Sequence, residues 1–320
     1  MTTFYDVFNG DADGICALHQ LRLAEPRSSV LITGAKRDIE LLARVEAHEG
    51  DIVTVLDISL ARNAAALDRV LARGATCRYF DHHAAGKIPQ HPRLETFIDP
   101  APDVCTSLLV DRYLKGSQRA WAVIAAFGDN LAASAEAAAA PLKLNELQLA
   151  RLKELGECIN YNAYGASVDD LNYHPADLYQ VLARYPDPFQ FISGEPVFEV
   201  LRDARADDLW RASEIEAALA DRHCALYVLP DAAWSRRVSG TFVNQLAAAH
   251  VERAHAVLVT SRNGYVVSVR SPISAAGGAD ALAREFGGEG RAGAAGIDFL
   301  PTYDYARFVA AFTRTYGSGA

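Results

Sequence analysis

The chain opens on TFYDVF, a short apolar run that predicts a strand, followed by GICALHQLRLA, whose apolar positions recur at helical spacing. The alternation then repeats. SVLITG predicts a second strand, followed by a helical stretch from about Arg37 to Glu46. IVTVLDI predicts a third strand, LARNAAALDRVLARG a helix closed by Gly74, and CRYFD a fourth strand. Strands alternating with helices predict an α/β fold: an N-terminal doubly wound parallel sheet with both faces covered. Helical patterns dominate from Val104 to Leu182, in VCTSLLVDRYL, RAWAVIAAFGDNLAASAEAAAA and LNELQLARLKELGECINYN.

Three prolines and a glycine in YPDPFQFISGEPVF mark a boundary. The predicted division is a first domain over 1–190, a helical linker over 191–222 and a smaller C-terminal α/β domain over 223–320, facing the first across a cleft. The last domain reads as strand HCALYVL, helix VSGTFVNQLAAAH, strands AHAVLVT and YVVSVRS, and helix ADALAREF. A glycine-rich turn, strand AGIDFL and helix YARFVAAFTRTY complete it.

A length of 320 residues suits two cores better than one. No apolar run is long enough to span a bilayer, and the first residues lack a basic and an apolar leader segment, so a cytoplasmic protein with no membrane partner is expected. Cys16, Cys77, Cys105, Cys158 and Cys224 are odd in number and form no CxxC pair, which predicts buried thiols rather than disulfides or a zinc site. The net charge of −9 argues against sequence-specific duplex DNA as a partner. From Arg236 onward nine arginines face six acids, a net of +3, which leaves −12 on the preceding residues. An acidic half and an arginine-bearing half suit a metal site and an anion site.

The acids that matter sit at strand ends. Asp11 and Asp13 follow the first predicted strand, Asp57 ends the third, and Asp81, His82 and His83 end the fourth. In an open parallel sheet those ends share one edge, where ligands bind. Asp129, in AAFGDN, joins them from the helical region. Crowded carboxylates repel one another unless cations neutralise them. Mixed oxygen and imidazole donors suit Mn²⁺ first, with Mg²⁺, Co²⁺ or Zn²⁺ as alternatives, as one or two ions. Singly, each piece has an ordinary reading: DADG as a turn, Asp57 as a helix cap, His82 and His83 as a solvated pair, GGEGRAGAAG as a turn. Jointly and in this order they point to metal-assisted hydrolysis of a phosphoester. Trp121, Trp210 and Trp234 are assigned to the core, His19 to packing, and Tyr161, Asn162 and Tyr164 to a lesser candidate for base stacking.

These residues resemble the DHH phosphoesterase family across nearly the whole chain. NGDADG, LDIS, FDHH, CTSLLV and GDN resemble its catalytic domain. VSVRS and FGGEGRAGAAG resemble its accessory DHHA1 domain. The pattern is most similar to the branch of oligoribonucleases, phosphoadenosine-phosphate phosphatases and cyclic-dinucleotide phosphodiesterases. The resemblance implies that Asp11 and Asp57 ligate one ion, and that Asp13, Asp57, His82 and Asp129 ligate a second. It implies further that His83 touches the scissile phosphate or aids the leaving group while Asp81 orients a neighbour. Arg270, Ser271, Gly287, Gly288, Gly290 and Arg291 would hold the far end of a small nucleotide or short single-stranded oligonucleotide. Hydrolysis would proceed by in-line attack of water that the ions convert to hydroxide; a homodimer is left open.

Two departures stand out. Relatives usually carry His or Asp two residues before the first acid, or a His slightly earlier, where this chain has Asn9 and, further back, Val7. Asn9 offers only a neutral carbonyl oxygen, so the first ion is expected to bind weakly or not at all. Glu289, Gly290 and Arg291 stand where nucleotide-active members often have glycines followed by His. Two rival readings remain at this point: a catalytically lapsed nucleotide-binding or regulatory module on the same fold, and a haloacid-dehalogenase-type phosphatase with Asp11 as nucleophile.

Overall fold

The computed structural model describes residues 2–317. It divides into two compact units, Met1–Ala204 and Arg205–Ala320.

The first unit is built on β1 (Phe4–Phe8), α1 (Ala12–Ala24), β2 (Val30–Ile32), β3 (Ile52–Leu56), α2 (Leu60–Ala72), β4 (Thr76–Asp81) and β5 (Leu94–Ile98). The strands form one five-stranded sheet in the order β2-β1-β3-β4-β5, with every pairing parallel. Adjacent residues of a strand point to opposite faces. Val7, Val55 and Tyr79 accordingly join a core with α2, whereas their neighbours Phe8, Leu56 and Phe80 join a second core with α1. That second core is completed by α3 (Thr106–Tyr113), α4 (Arg119–Gly128), α5 (Ala132–Ala139), α6 (Glu146–Asn162), α7 (Pro175–Leu182) and α8 (Pro188–Gly194). The strand order reverses between β1 and β3, which opens a crevice beyond their carboxyl ends.

Helices α4 and α6 touch backbone to backbone. A Cβ on Gly156 would lie 2.1 Å from the Ile124 carbonyl oxygen, and one on Gly128 would lie 2.8 Å from that of Gly156. This contact fixes the end of α4, where Asp129 follows.

The stretch expected as a helix from Arg37 to Glu46 holds only a short 3₁₀ turn, Leu41–Arg44. Its backbone groups are claimed by α2. The Leu42 N–H donates to Asn63 Oδ1 (3.3 Å), Asn63 Nδ2 donates to the Ile39 carbonyl (2.7 Å) and Arg69 to that of Ala43 (3.1 Å). Tertiary pairing overrides the local helix preference.

Helix α9 (Pro196–Ser213) carries the chain into the second unit. There β6 (Leu219–Ala220), β7 (Cys224–Leu229), α10 (Ala233–Ala249), β8 (Ala254–Ser261), β9 (Gly264–Arg270) and α11 (Ala279–Arg284) are followed by β10 (Glu289–Arg291), β11 (Ala294–Pro301) and α12 (Tyr305–Tyr316). The six strands lie in the order β10-β11-β9-β8-β7-β6, parallel only between β7 and β8. Helices α11 and α12 pack into one core of this unit and α10 into another.

All five cysteines are buried thiols. His19 is packed against Trp121, with Nε2 3.0 Å from the Tyr185 carbonyl. Trp121 is in the core as expected, but Trp210 is 61% exposed. Tyr161 and Asn162 are buried, and Asn162 exchanges two hydrogen bonds with the Tyr173 backbone, so neither offers a stacking surface. Among the described residues no helix is long and apolar enough to cross a membrane.

Candidate metal centre

Three strand ends and one helix end deliver the polar side chains to the rim of the first unit. Asp11 caps α1: its Oδ1 accepts from the N–H groups of Asp13 (3.0 Å) and Gly14 (3.1 Å). Asp13, close behind it in the first turn, is held from the opposite direction by α3. Its Oδ2 accepts from the Thr106 N–H and its Oδ1 from the Ser107 N–H, both at 2.7 Å. A carboxylate at a helix N-terminus meets unpaired N–H groups and the positive end of the dipole.

Asp57 follows β3 in a left-handed conformation (φ 57°), which Asp tolerates better than most residues. Its N–H donates to the Phe80 carbonyl (3.0 Å), and its Oδ1 accepts from the Thr106 hydroxyl (3.3 Å). Asp81, at the end of β4, is fully buried and accepts from the Leu60 N–H (3.3 Å), the His83 N–H (3.2 Å) and His83 Nδ1 (2.7 Å). That last contact pushes the His83 pKa up, since it favours the imidazolium.

His82 is the hub. Its Nδ1 lies 2.9 Å from the Val104 carbonyl, which can only accept, so Nδ1 carries the proton. Nε2 faces the acids, 3.3 Å from Asp57 Oδ1, 3.9 Å from Asp129 Oδ2 and 4.0 Å from Asp13 Oδ2. Ligand atoms of Asp13, His82 and Asp129 lie within 4.8 Å of one another, as do those of Asp57, His82 and His83. A histidine whose far nitrogen is fixed by a carbonyl has the usual orientation of a metal ligand.

The charges are under strain. Burial, then Asp13, Asp11 and Asp129, push the Asp57 carboxyl well above its ordinary range. Burial and Asp13 push Asp129 up to about 6. A divalent cation relieves this repulsion, and the oxygen and imidazole donors around His82 Nε2 fit one.

Asp11 belongs to neither ligand set, although its side chain is hydrogen-bonded to that of Asp57. Its free oxygen, Oδ2, lies 2.6 Å from Lys36 Nζ, and the same ammonium reaches Asp129 Oδ1 at 3.4 Å. Burial raises and Lys36 lowers the Asp11 pKa, and the lysine, with the capping hydrogen bonds, prevails. Asp11 thus has one oxygen on the N–H groups that open α1 and the other on the Lys36 ammonium. Sequence reasoning missed Lys36, Thr106 and Ser107. Lys36 closely follows β2 on the same sheet edge, a position the strand-end rule covers; Thr106 and Ser107 lie in the CTSLLV motif, but their backbone N–H bonds to Asp13 are not legible in a sequence.

In the second unit the glycine-rich segment is a hairpin, β10 on β11, rather than a plain turn. The N–H groups of Gly287 and Gly288 donate to the carbonyls of Arg284 (3.2 Å) and Ala283 (2.9 Å), closing α11. They are therefore not offered to a phosphate. Gly290 is required by its conformation (φ 147°) and by the Ala295 Cα, which a Cβ would meet at 2.4 Å. Ser271 is buried and its Oγ accepts from the Gly277 N–H (3.2 Å). Ala294 pairs with Arg270 on one side and Arg291 on the other. Directly opposed residues share a face, so the two arginines flank a small residue, roughly 9–10 Å apart at the backbone.

No family model and no curated protein sequence matches the chain. Solved structures match over 98% of it. The DHH domain of a protein assigned to a family of ribosomal proteins aligns at TM-score 0.63 and 14% identity over 86% of its own chain. The exonuclease RecJ bound to manganese aligns at 0.63 and 16% over 89% of its chain. The pGpG-specific phosphodiesterase PggH from Vibrio cholerae aligns at 0.58 and 14% over 98%. At such identities the likeness is one of fold, and the chain has the fold of DHH-domain proteins.

Proposed function

We propose that the protein is a metal-dependent phosphoesterase acting on a small nucleotide or short oligonucleotide. The observation that carries the reading is His82 Nε2, fixed in its tautomer and aimed at Asp13, Asp57 and Asp129. The fold shared with a manganese-bound exonuclease and a pGpG-specific phosphodiesterase supports it.

Asp13, Asp57, His82 and Asp129 would hold the divalent ion, Mn²⁺ first among the candidates. When bound, it supplies Lewis acidity that activates water and offsets charge on phosphoryl oxygens. The chain's own residues do the rest. Thr106 and Ser107 hold Asp13 in place, and the Thr106 hydroxyl steadies Asp57. Asp81 fixes His83 through Nδ1 and favours the imidazolium, in which Nε2–H of this half-exposed ring is a donor to a phosphoryl or leaving oxygen. On the second unit Arg270 and Arg291 supply permanent positive charge suited to a phosphate group. The first unit also holds a half-open pocket of about 440 Å³, lined by Arg37, Asp38, Arg44 and His174 among others.

The purified protein with Mn²⁺ is expected to hydrolyse at least one of a panel of short oligonucleotides, linear and cyclic dinucleotides, phosphoadenosine phosphate and polyphosphate. Arg270→Ala and Arg291→Ala should each raise KM about tenfold, the loss of one charge-assisted hydrogen bond. Binding of these compounds with no turnover under any divalent metal would favour the lapsed, nucleotide-binding reading instead.

A further inference from the structure

Asn9, Lys36 and Asn160 form a second polar arrangement at the edge of the metal centre. The Lys36 ammonium has three acceptors: Asp11 Oδ2 (2.6 Å), Asn160 Oδ1 (3.2 Å) and Asp129 Oδ1 (3.4 Å). Three acceptors match its three donors. The residue is also gripped through its backbone. Its N–H donates to the Ala163 carbonyl (2.9 Å), and its carbonyl accepts from Asn9 Nδ2 (3.2 Å). Asn9 Oδ1 accepts from the Asp11 N–H (3.2 Å). Asn9 has therefore committed its carbonyl oxygen to its own loop and its amide to Lys36, and it is turned away from ligating a cation.

Gly10 makes this approach feasible. A Cβ there would lie 2.1 Å from the Gly34 carbonyl oxygen, so the segment carrying Lys36 lies against the acidic loop with no side chain between them.

We propose that the Lys36 ammonium fills the position a second divalent ion would take beside Asp11, so that this chain binds one ion only, at Asp13, Asp57, His82 and Asp129. The proposal rests on the metal-centre reading above. A second ion would have to compete for the one oxygen of Asp11 that is not capping α1, and would meet a like charge at contact distance. It would have no histidine or acid at position 9 to compensate. Lys36 thus neutralises part of the acidic rim with a charge tethered to the chain itself.

Manganese titration of the intact chain by calorimetry, with electron paramagnetic resonance of the loaded protein, tests this without reference to turnover. The wild type is expected to bind one Mn²⁺ per chain and to show the six-line signal of an isolated ion. Lys36→Gln, which removes the charge and adds a carbonyl oxygen, is expected to bind two and to show a spin-coupled pair. Should that variant fold poorly, Asp11→Asn provides the check. It should keep one Mn²⁺ with affinity reduced by no more than about tenfold, the low end for a residue outside the ligand set. Two ions in the wild type, one ion in Lys36→Gln, or loss of the ion in Asp11→Asn would each overturn the proposal. One bound ion without hydrolysis of any substrate would instead count against the proposed function and leave this inference standing.

Discussion

Asp57→Asn is expected to leave the metal-free protein at least as stable as the wild type while abolishing its stabilisation by Mn²⁺. Asp57 is buried among Asp11, Asp13 and Asp129, and its carboxyl is forced up by burial and by those charges. Without a divalent ion its negative form is a liability, and asparagine removes the charge with almost no change of shape. Asparagine also tolerates the left-handed backbone that position 57 adopts. With the ion, the balance inverts. Binding at a hundred times the dissociation constant adds about 2.7 kcal/mol, or about 5–10 °C in Tm for a unit of this size. Wild-type protein should show that shift in a calorimetric scan with Mn²⁺ and the variant should not; hydrolysis should fall by about 100-fold or more. An equal Mn²⁺-dependent shift in both proteins would remove Asp57 from the centre.

The opposite behaviour is expected of Asp13, a few ångströms away. Asp13→Ala should lower the unfolding free energy by about 2–4 kcal/mol, because two buried N–H groups at the start of α3 lose charged acceptors, worth about 1.5–3 kcal/mol each. Relief of repulsion from its neighbours offsets part of the loss. The Ser107 hydroxyl keeps its bond to the Asp13 carbonyl oxygen (2.9 Å), so the register of the loop survives. Urea unfolding of metal-free protein measures the difference. If Asp13→Ala proves as stable as Asp57→Asn, the carboxylate is not what ties α3 to the loop after β1.

The contrast between these two acids explains which parts of the centre could be read from the sequence. Strands β1, β3 and β4 were legible because each places apolar side chains into two different cores, and the carboxylates follow directly at their ends. Strand β5 was not, being half-buried and preceded by a polar, proline-bearing stretch. Strand β10 has three exposed residues and owes its existence to backbone pairing with β11, which no apolar pattern records. The segment from Arg37 to Glu46 has helix-forming composition, and its fate was decided by Asn63 and Arg69 of α2, residues distant in sequence.

That misreading concealed Lys36. It follows β2 at the sheet edge, where the strand-end rule covers it, but the expected helix drew attention past it, and the folded segment brings its ammonium to Asp11. The unusual Asn9 did give warning that the Asp11 side of the rim differs from the DHH pattern. The lysine that holds the second Asp11 carboxylate oxygen needed tertiary contacts to become visible. The arginines followed the same course: Arg270 and Arg291 were legible as charges, but their placement on either side of Ala294 depends on strand register.

The most direct measurement is the position of manganese by anomalous diffraction from crystals of the intact chain soaked in Mn²⁺. A single strong peak bounded by Asp13, Asp57, His82 Nε2 and Asp129 is predicted. Manganese bound only at other residues, or no peak at that seat at saturating Mn²⁺, would contradict the account.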